Sequence, residues 1–105
     1  MAAFAYTHTS KLRKGIKIGP NLTIKAGSIN LTNYNSARVA IAEIVGAFKV
    51  LVAVIPAGSS SNGYFPSWDG TNSFKAWRAL TAAASTEAPN DTNIGTFDYV
   101  AIGLE

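Results

Sequence analysis

The sequence predicts an all-β domain: a small, jelly-roll-like β-sandwich or a partly open barrel of roughly six to eight short strands, with an extended N-terminal arm and at most one short helix. Three observations predict it. Residues 16–26 alternate between apolar and polar with period two. Residues 48–55, Phe-Lys-Val-Leu-Val-Ala-Val-Ile, are a nearly unbroken apolar run rich in side chains branched at Cβ. Asp69-Gly70 lies between two aromatic stretches and is the strongest hairpin signal in the chain.

Size and composition set the frame. A chain of 105 residues suits one domain, read as an arm over 1–11 and a β domain over 12–105. Hydrophobic residues make up 48% and charged ones 14%, the latter low against the usual share of about 25%. Such a composition suits a β domain with polar loops, or a protein that works packed against others. It is too apolar for disorder. Cysteine is missing, which excludes disulfides and cysteine-based metal sites or nucleophiles. The N-terminus has no basic start and no apolar core of signal-peptide length, so folding in a cytoplasm without export is expected. The run 48–55 is far short of the ~20 residues of a membrane span, and no membrane partner is expected. The sequons at Asn21, Asn30 and Asn90 read as chance matches in an Asn- and Thr-rich chain.

Charge is unevenly placed within the net +3. Lys11, Arg13, Lys14, Lys17 and Lys25 precede residue 26 with no acid among them. Such a front end could meet an acidic protein surface, nucleic acid, or only water.

Taken in order, residues 1–11 are small and polar with Phe4 and Tyr6, and read as a flexible or partner-docked arm. In 12–27 the apolar residues Ile16, Ile18, Leu22, Ile24 and Ala26 are even-numbered, while Lys17, Asn21, Thr23 and Lys25 are odd-numbered. This is a half-buried strand or hairpin, interrupted by a turn at Gly19-Pro20-Asn21. Ile29 and Leu31 continue with the phase shifted by one, which predicts a bulge or bend near Gly27-Ser28. Residues 33–36 read as a turn. Residues 37–45 fit either a strand or one or two helical turns capped by Ser36 and ended by Gly46, with the helix favoured.

The run 48–55 is apolar on both alternating faces and is therefore expected as the central strand, covered on both sides or with one side on a partner. Residues 57–63 are small and polar and read as a mobile loop. A hairpin follows through Asp69-Gly70, then a long loop over 81–93 with a turn at Pro89-Asn90-Asp91. Residues 97–104 close the chain as a strand. Phe97, Tyr99 and Ala101 share one face and Val100 and Ile102 the other, so this strand is expected inside a sheet.

Chemistry is harder to find. The single histidine, His8, falls in the arm and supports no Ser-His-Asp arrangement. Of the six acids, Asp69, Glu87 and Asp91 belong to turns and loops, and no carboxylate pair can be nominated for one cleft. Phosphate loops and spaced metal ligands are missing. The expectation is a non-enzymatic protein with no catalytic residues, no metal and no cofactor. The sharpest feature is the aromatic cluster Tyr64, Phe65, Trp68, Phe74 and Trp77. These rings could be cross-strand partners filling the core, or Tyr64, Trp68 and Trp77 could form an exposed patch that packs on a partner or stacks sugars or bases.

At 64–77 and 97–103 the chain resembles small structural proteins of tailed bacteriophages. The resemblance lies in a strand ending in Asp-Gly-Thr-Asn, a following Phe-Lys-Ala-Trp strand, a Thr/Glu/Ala/Asn/Asp loop and a terminal Phe-Asp-Tyr-Val-Ala-Ile-Gly. It extends to 16–28 and 48–58. These proteins include head decoration, or cement, proteins. The resemblance implies a β-sandwich, often a homotrimer, that is assembled in the host cytoplasm and resides in the virion. It would bind the outside of the major capsid protein shell and stabilise it, with no direct nucleic-acid role. Phe4, Tyr6, Lys11, Arg13, Lys14 and Lys17 are the residues expected to face the capsid. Alternatives are another virion part, such as a head-fibre or tail accessory domain, or a carbohydrate- or nucleic-acid-binding module using exposed Trp and Tyr.

Overall fold

The computed structural model describes residues 3–17, 19–81 and 84–104, with the backbone alone for 12–15, 79–81 and 84–85. Among the described residues are seven strands and one helical turn: β1 (Ala5–Lys17), β2 (Leu22–Asn33), α1 (Ala42–Val45), β3 (Val50–Ala57), β4 (Phe65–Trp68), β5 (Phe74–Thr81), β6 (Ala84–Glu87) and β7 (Gly95–Leu104). They form two antiparallel sheets, ordered β1-β2-β7-β3 and β4-β5-β6. The expected all-β sandwich is present, and the sheets do not close into a barrel.

Between the sheets lies one core. Ile29 and Leu31 of β2, Phe97, Tyr99 and Ala101 of β7 and Val54 of β3 face Phe74 and Ala76 of β5. Phe74 is the hinge of this packing, edge-on to Phe97 at 5.0 Å and to Trp68 at 5.1 Å between centroids. β7 pairs on both sides, with β2 and β3, as its two apolar faces predict.

Several expectations are corrected. The run 48–55 is not central. β3 stands at the edge of its sheet, and its alternate side chains Val50, Val52 and Ile55 are more than half exposed. The arm over 1–11 is largely strand: β1 begins at Ala5 and pairs with β2 from Ala5↔Asn33 to Lys17↔Thr23. Polar composition misled here because an edge strand with water on one side needs few apolar residues. Phe4, just ahead of β1, lies in the core against Tyr34.

No bulge opens at Gly27-Ser28 toward β7, where the register runs unbroken from Leu22↔Leu104 to Leu31↔Gly95. The expected irregularity lies on the other side of β2, where β1 shifts register between Ser10↔Gly27 and Leu12↔Ala26. Gly27 instead serves close packing. A Cβ there would come within 2.8 Å of the Tyr99 hydroxyl and 2.9 Å of the Thr9 carbonyl oxygen.

The helix is one turn, later than Ser36 implied. Ile41 precedes it without a side-chain cap, and Gly46 closes it as expected, its N–H donating to the Ala42 carbonyl at 2.8 Å. Residues 57–63 are not loose. Ser60 is buried, donates from Oγ to the Ile94 carbonyl at 2.6 Å and accepts the Tyr64 N–H at 3.1 Å. Small polar residues pack when their backbone groups find partners. The long loop over 81–93 contains β6, and its turn at Pro89-Asn90-Asp91 is present, with Asp91 at φ 64°. The hairpin through Asp69-Gly70 is present but wider than two residues. The Asp69 N–H bonds to the Ser73 carbonyl at 2.9 Å, and Asp69 Oδ1 accepts from the N–H groups of Thr71, Asn72 and Ser73.

Candidate functional site

Two surfaces and one charge network stand out. The first surface is the outer face of the four-stranded sheet. Directly paired residues of an antiparallel ladder share a face. Ile29↔Phe97 and Gly27↔Tyr99 point into the core, so the alternate pairs Leu22↔Leu104, Ile24↔Ile102 and Ala26↔Val100 point outward. β3 continues this outer set with Val50↔Leu104, Ala53↔Ile102 and Ile55↔Val100, and β1 with Ile16↔Ile24. All of these side chains are apolar and none is charged. Ile16, Val50 and Ile55 are each more than half exposed.

The opposite end of this face is polar. There Ser28↔Asp98 and Asn30↔Thr96 lie outward, and Lys11 Nζ reaches Asp98 at 3.0 Å. That hydrogen bond, with Ser28, holds the Asp98 carboxyl below the usual carboxylate range. One half of the sheet is thus dressed for water, and the other presents a contiguous apolar face.

The second surface is the outer face of the three-stranded sheet. Pro66↔Ala76 and Trp68↔Phe74 face the core, which leaves Phe65↔Trp77 and Ser67↔Lys75 outward. Phe65 is about half exposed at 49%. Trp77 donates from Nε1 to Ser67 Oγ at 2.8 Å, and Lys75 Nζ sits 5.8 Å from its ring centroid. Phe65, Pro66, Ser67 and Trp77 line an open cavity of about 390 Å³.

Between the sheets, the crossing segment after β2 carries the charge network. Arg38 Nε lies 3.5 Å from Asp69 and its Nη1 3.6 Å from Glu87. Tyr34, fully buried, donates its hydroxyl to the same Glu87 carboxylate. Burial and this bond push the Tyr34 hydroxyl up to about 12. At Asp69 burial works to raise the carboxyl, but the three backbone N–H groups and Arg38 outweigh it and leave it lowered. The network ties β5–β6 to the first sheet and reads as structure.

The expected partner-facing residues scatter. Phe4 is core. Tyr6 is half-buried and donates to Glu43 Oε1 at 2.6 Å, with burial and that carboxylate raising its hydroxyl to about 12. Lys11 is engaged with Asp98. Lys17 is exposed at the end of β1. The side chains of Arg13 and Lys14 lie outside the described residues. Of the expected aromatic patch, Tyr64 and Trp68 pack against the core and Trp77 faces outward. Its exposed companion is Phe65, which the period-two count from Phe65 to Ser67 could have placed opposite Pro66 and Trp68. His8 lies in β1 with Nε2 2.7 Å from the Tyr99 hydroxyl.

Among the described residues no three His, Cys, Asp or Glu side chains gather as a metal site, and no helix is long and apolar enough to cross a membrane. Comparison with protein-family models, curated proteins and solved structures finds no match to this chain.

Proposed function

We propose that this chain is a non-enzymatic assembly protein that docks by its apolar sheet face, and that the surface it docks on is the outside of a tailed-phage capsid, which it stabilises as a decoration subunit. The observation that carries the docking reading is the outer face centred on Ile24, Ile102 and Ile55, which is apolar among the described side chains of that half. Leaving such a face in water forfeits about 25 cal/mol for each Å² that could be buried. The phage context and a trimeric state rest on the sequence resemblance. The charge expected to steer docking contributes less in this reading, because Lys11 is already engaged with Asp98.

The test is co-sedimentation of the purified protein with expanded capsids lacking it, across a salt series. The expected result is saturable binding at a fixed ratio to the major capsid protein. It should persist at high salt, since apolar burial is not screened, and be lost in Ile55→Lys. No binding at any salt would overturn the decoration role. Binding abolished by salt but indifferent to Ile55→Lys would overturn the apolar face as the contact.

A further inference from the structure

We infer that Phe65 and Trp77 form a stacking platform for a pyranose sugar, on the side of the sandwich opposite the apolar docking face. The inference does not depend on the capsid reading. It rests on what the outer face of β4–β5 presents beyond the needs of folding. Phe65 sits directly across from Trp77 and leaves 49% of its surface in water, although inward positions are one residue away on either side. Trp77 is not free to collapse onto the sheet, since its Nε1–H is held by Ser67 Oγ at 2.8 Å. A ring pinned through its edge offers its face at little cost in lost freedom.

A pyranose fits the lining. One side of the sugar ring is a patch of C–H bonds bearing partial positive charge, which the negative face of an indole or phenyl ring attracts. Its rim is hydroxyls, which need donors and acceptors. Ser67 Oγ, while accepting from Trp77, retains its own proton, and the Lys75 ammonium beside the indole supplies more. The cavity of about 390 Å³ lined by Phe65, Pro66, Ser67 and Trp77 lies in the range of small-molecule sites.

Charge argues against single-stranded nucleic acid, which requires a basic groove along the phosphates. On this face Lys75 is a single ammonium, and the Glu87 carboxylate, whose backbone pairs with Trp77 across β5–β6, is turned to Arg38 and Tyr34. So little charge suits a sugar.

The chain has two tryptophans, and they provide a built-in control: Trp77 reports on the platform, Trp68 on the core. In ¹⁵N spectra of the full chain, methyl glycosides of glucose, galactose, mannose and N-acetylglucosamine are titrated in turn. We expect at least one to shift the Trp77 indole signal saturably, with a dissociation constant in the millimolar range, while Trp68 stays in place. Phe65→Ala should weaken that binding about tenfold, and Trp77→Ala should abolish it. If Trp77→Ala unfolds the protein, the exposed Phe65→Ala still decides. Three results would overturn the inference: no glycoside moving the Trp77 signal, unchanged affinity in Phe65→Ala, or saturation by an oligothymidylate or a proline-rich peptide with no response to sugars.

Discussion

Phe74 of β5 meets Phe97 of β7 edge to face, with ring planes at 80°, and through this pair the two sheets share one core. Both rings are almost fully buried. Phe74→Ala removes the ring that Trp68, Phe97 and Tyr99 all touch. The expected loss is about 3–5 kcal/mol, measured as a fall in the urea midpoint with an unchanged slope. Phe74→Leu should cost less than half of that, because it keeps most of the volume.

Thr23 is wholly buried on the inner face of β2, and its Oγ1 finds no hydrogen-bond partner among the described residues. A buried hydroxyl without a partner has lost its water for nothing. Thr23→Val keeps the shape and removes the hydroxyl. The expected outcome is a gain of about 1 kcal/mol in chemical denaturation.

Gly103 lies beneath the Phe48 ring. A Cβ there would overlap that ring and come within 2.7 Å of the Val50 carbonyl oxygen. Backbone cannot give way cheaply, so Gly103→Ala should destabilise by about 1–3 kcal/mol. The loss should be smaller when paired with Phe48→Leu, which makes room, and a double-mutant cycle reads that coupling.

The Asp69 carboxyl is lowered in the folded chain. The unfolded chain, with an ordinary value of about 3.9, takes up protons first as the pH falls. The stabilisation is complete above the unfolded value and is lost as the pH drops through the folded one. Glu43, lowered by its bond from Tyr6, and Asp98, lowered by Lys11, share that sign. Urea midpoints should therefore decline below a pH of about 5, and Asp69→Asn should make that decline shallower.

Ile55 contributes little to the core, being 55% exposed. Ile55→Lys should leave stability within about 0.5 kcal/mol of the parent while raising the concentration the protein tolerates before it self-associates. Sedimentation velocity across a concentration series checks both the parent and the variant.

Much of the fold was legible because periodicity tracks burial. The two apolar faces of residues 97–104 placed β7 inside a sheet, and Asp69-Gly70 marked the β4–β5 hairpin. Two of the failures share one cause: apolar character there does not mean burial. Leu22, Ile24 and Ala26 suggested an inward face, yet the inward residues of that stretch are Thr23, Lys25 and Gly27, and the phase change before Ile29 came from the switch of apolar side. The same confusion made the run 48–55 look central. Lys25 is inward because its ammonium donates to the Ala47 carbonyl at 2.9 Å and lies over the Phe48 ring, long-range partners that no local pattern encodes. Of the aromatic platform, Trp77 was legible, and the period-two count along β4 sets Phe65 opposite Pro66 and Trp68, but only the pairing of β4 with β5 puts Phe65 beside Trp77.

The irregular rims of the larger sheet have a consequence for crowding. β1 changes register at three places along β2, and β3 carries one such shift beside Val52 and a proline, Pro56, that has no N–H to offer. Neighbouring molecules cannot zip rim to rim against such strands, because the ladder of hydrogen bonds breaks every few residues. A chain built this way can be held at high local density, with many copies side by side, without growing into ribbons or fibres.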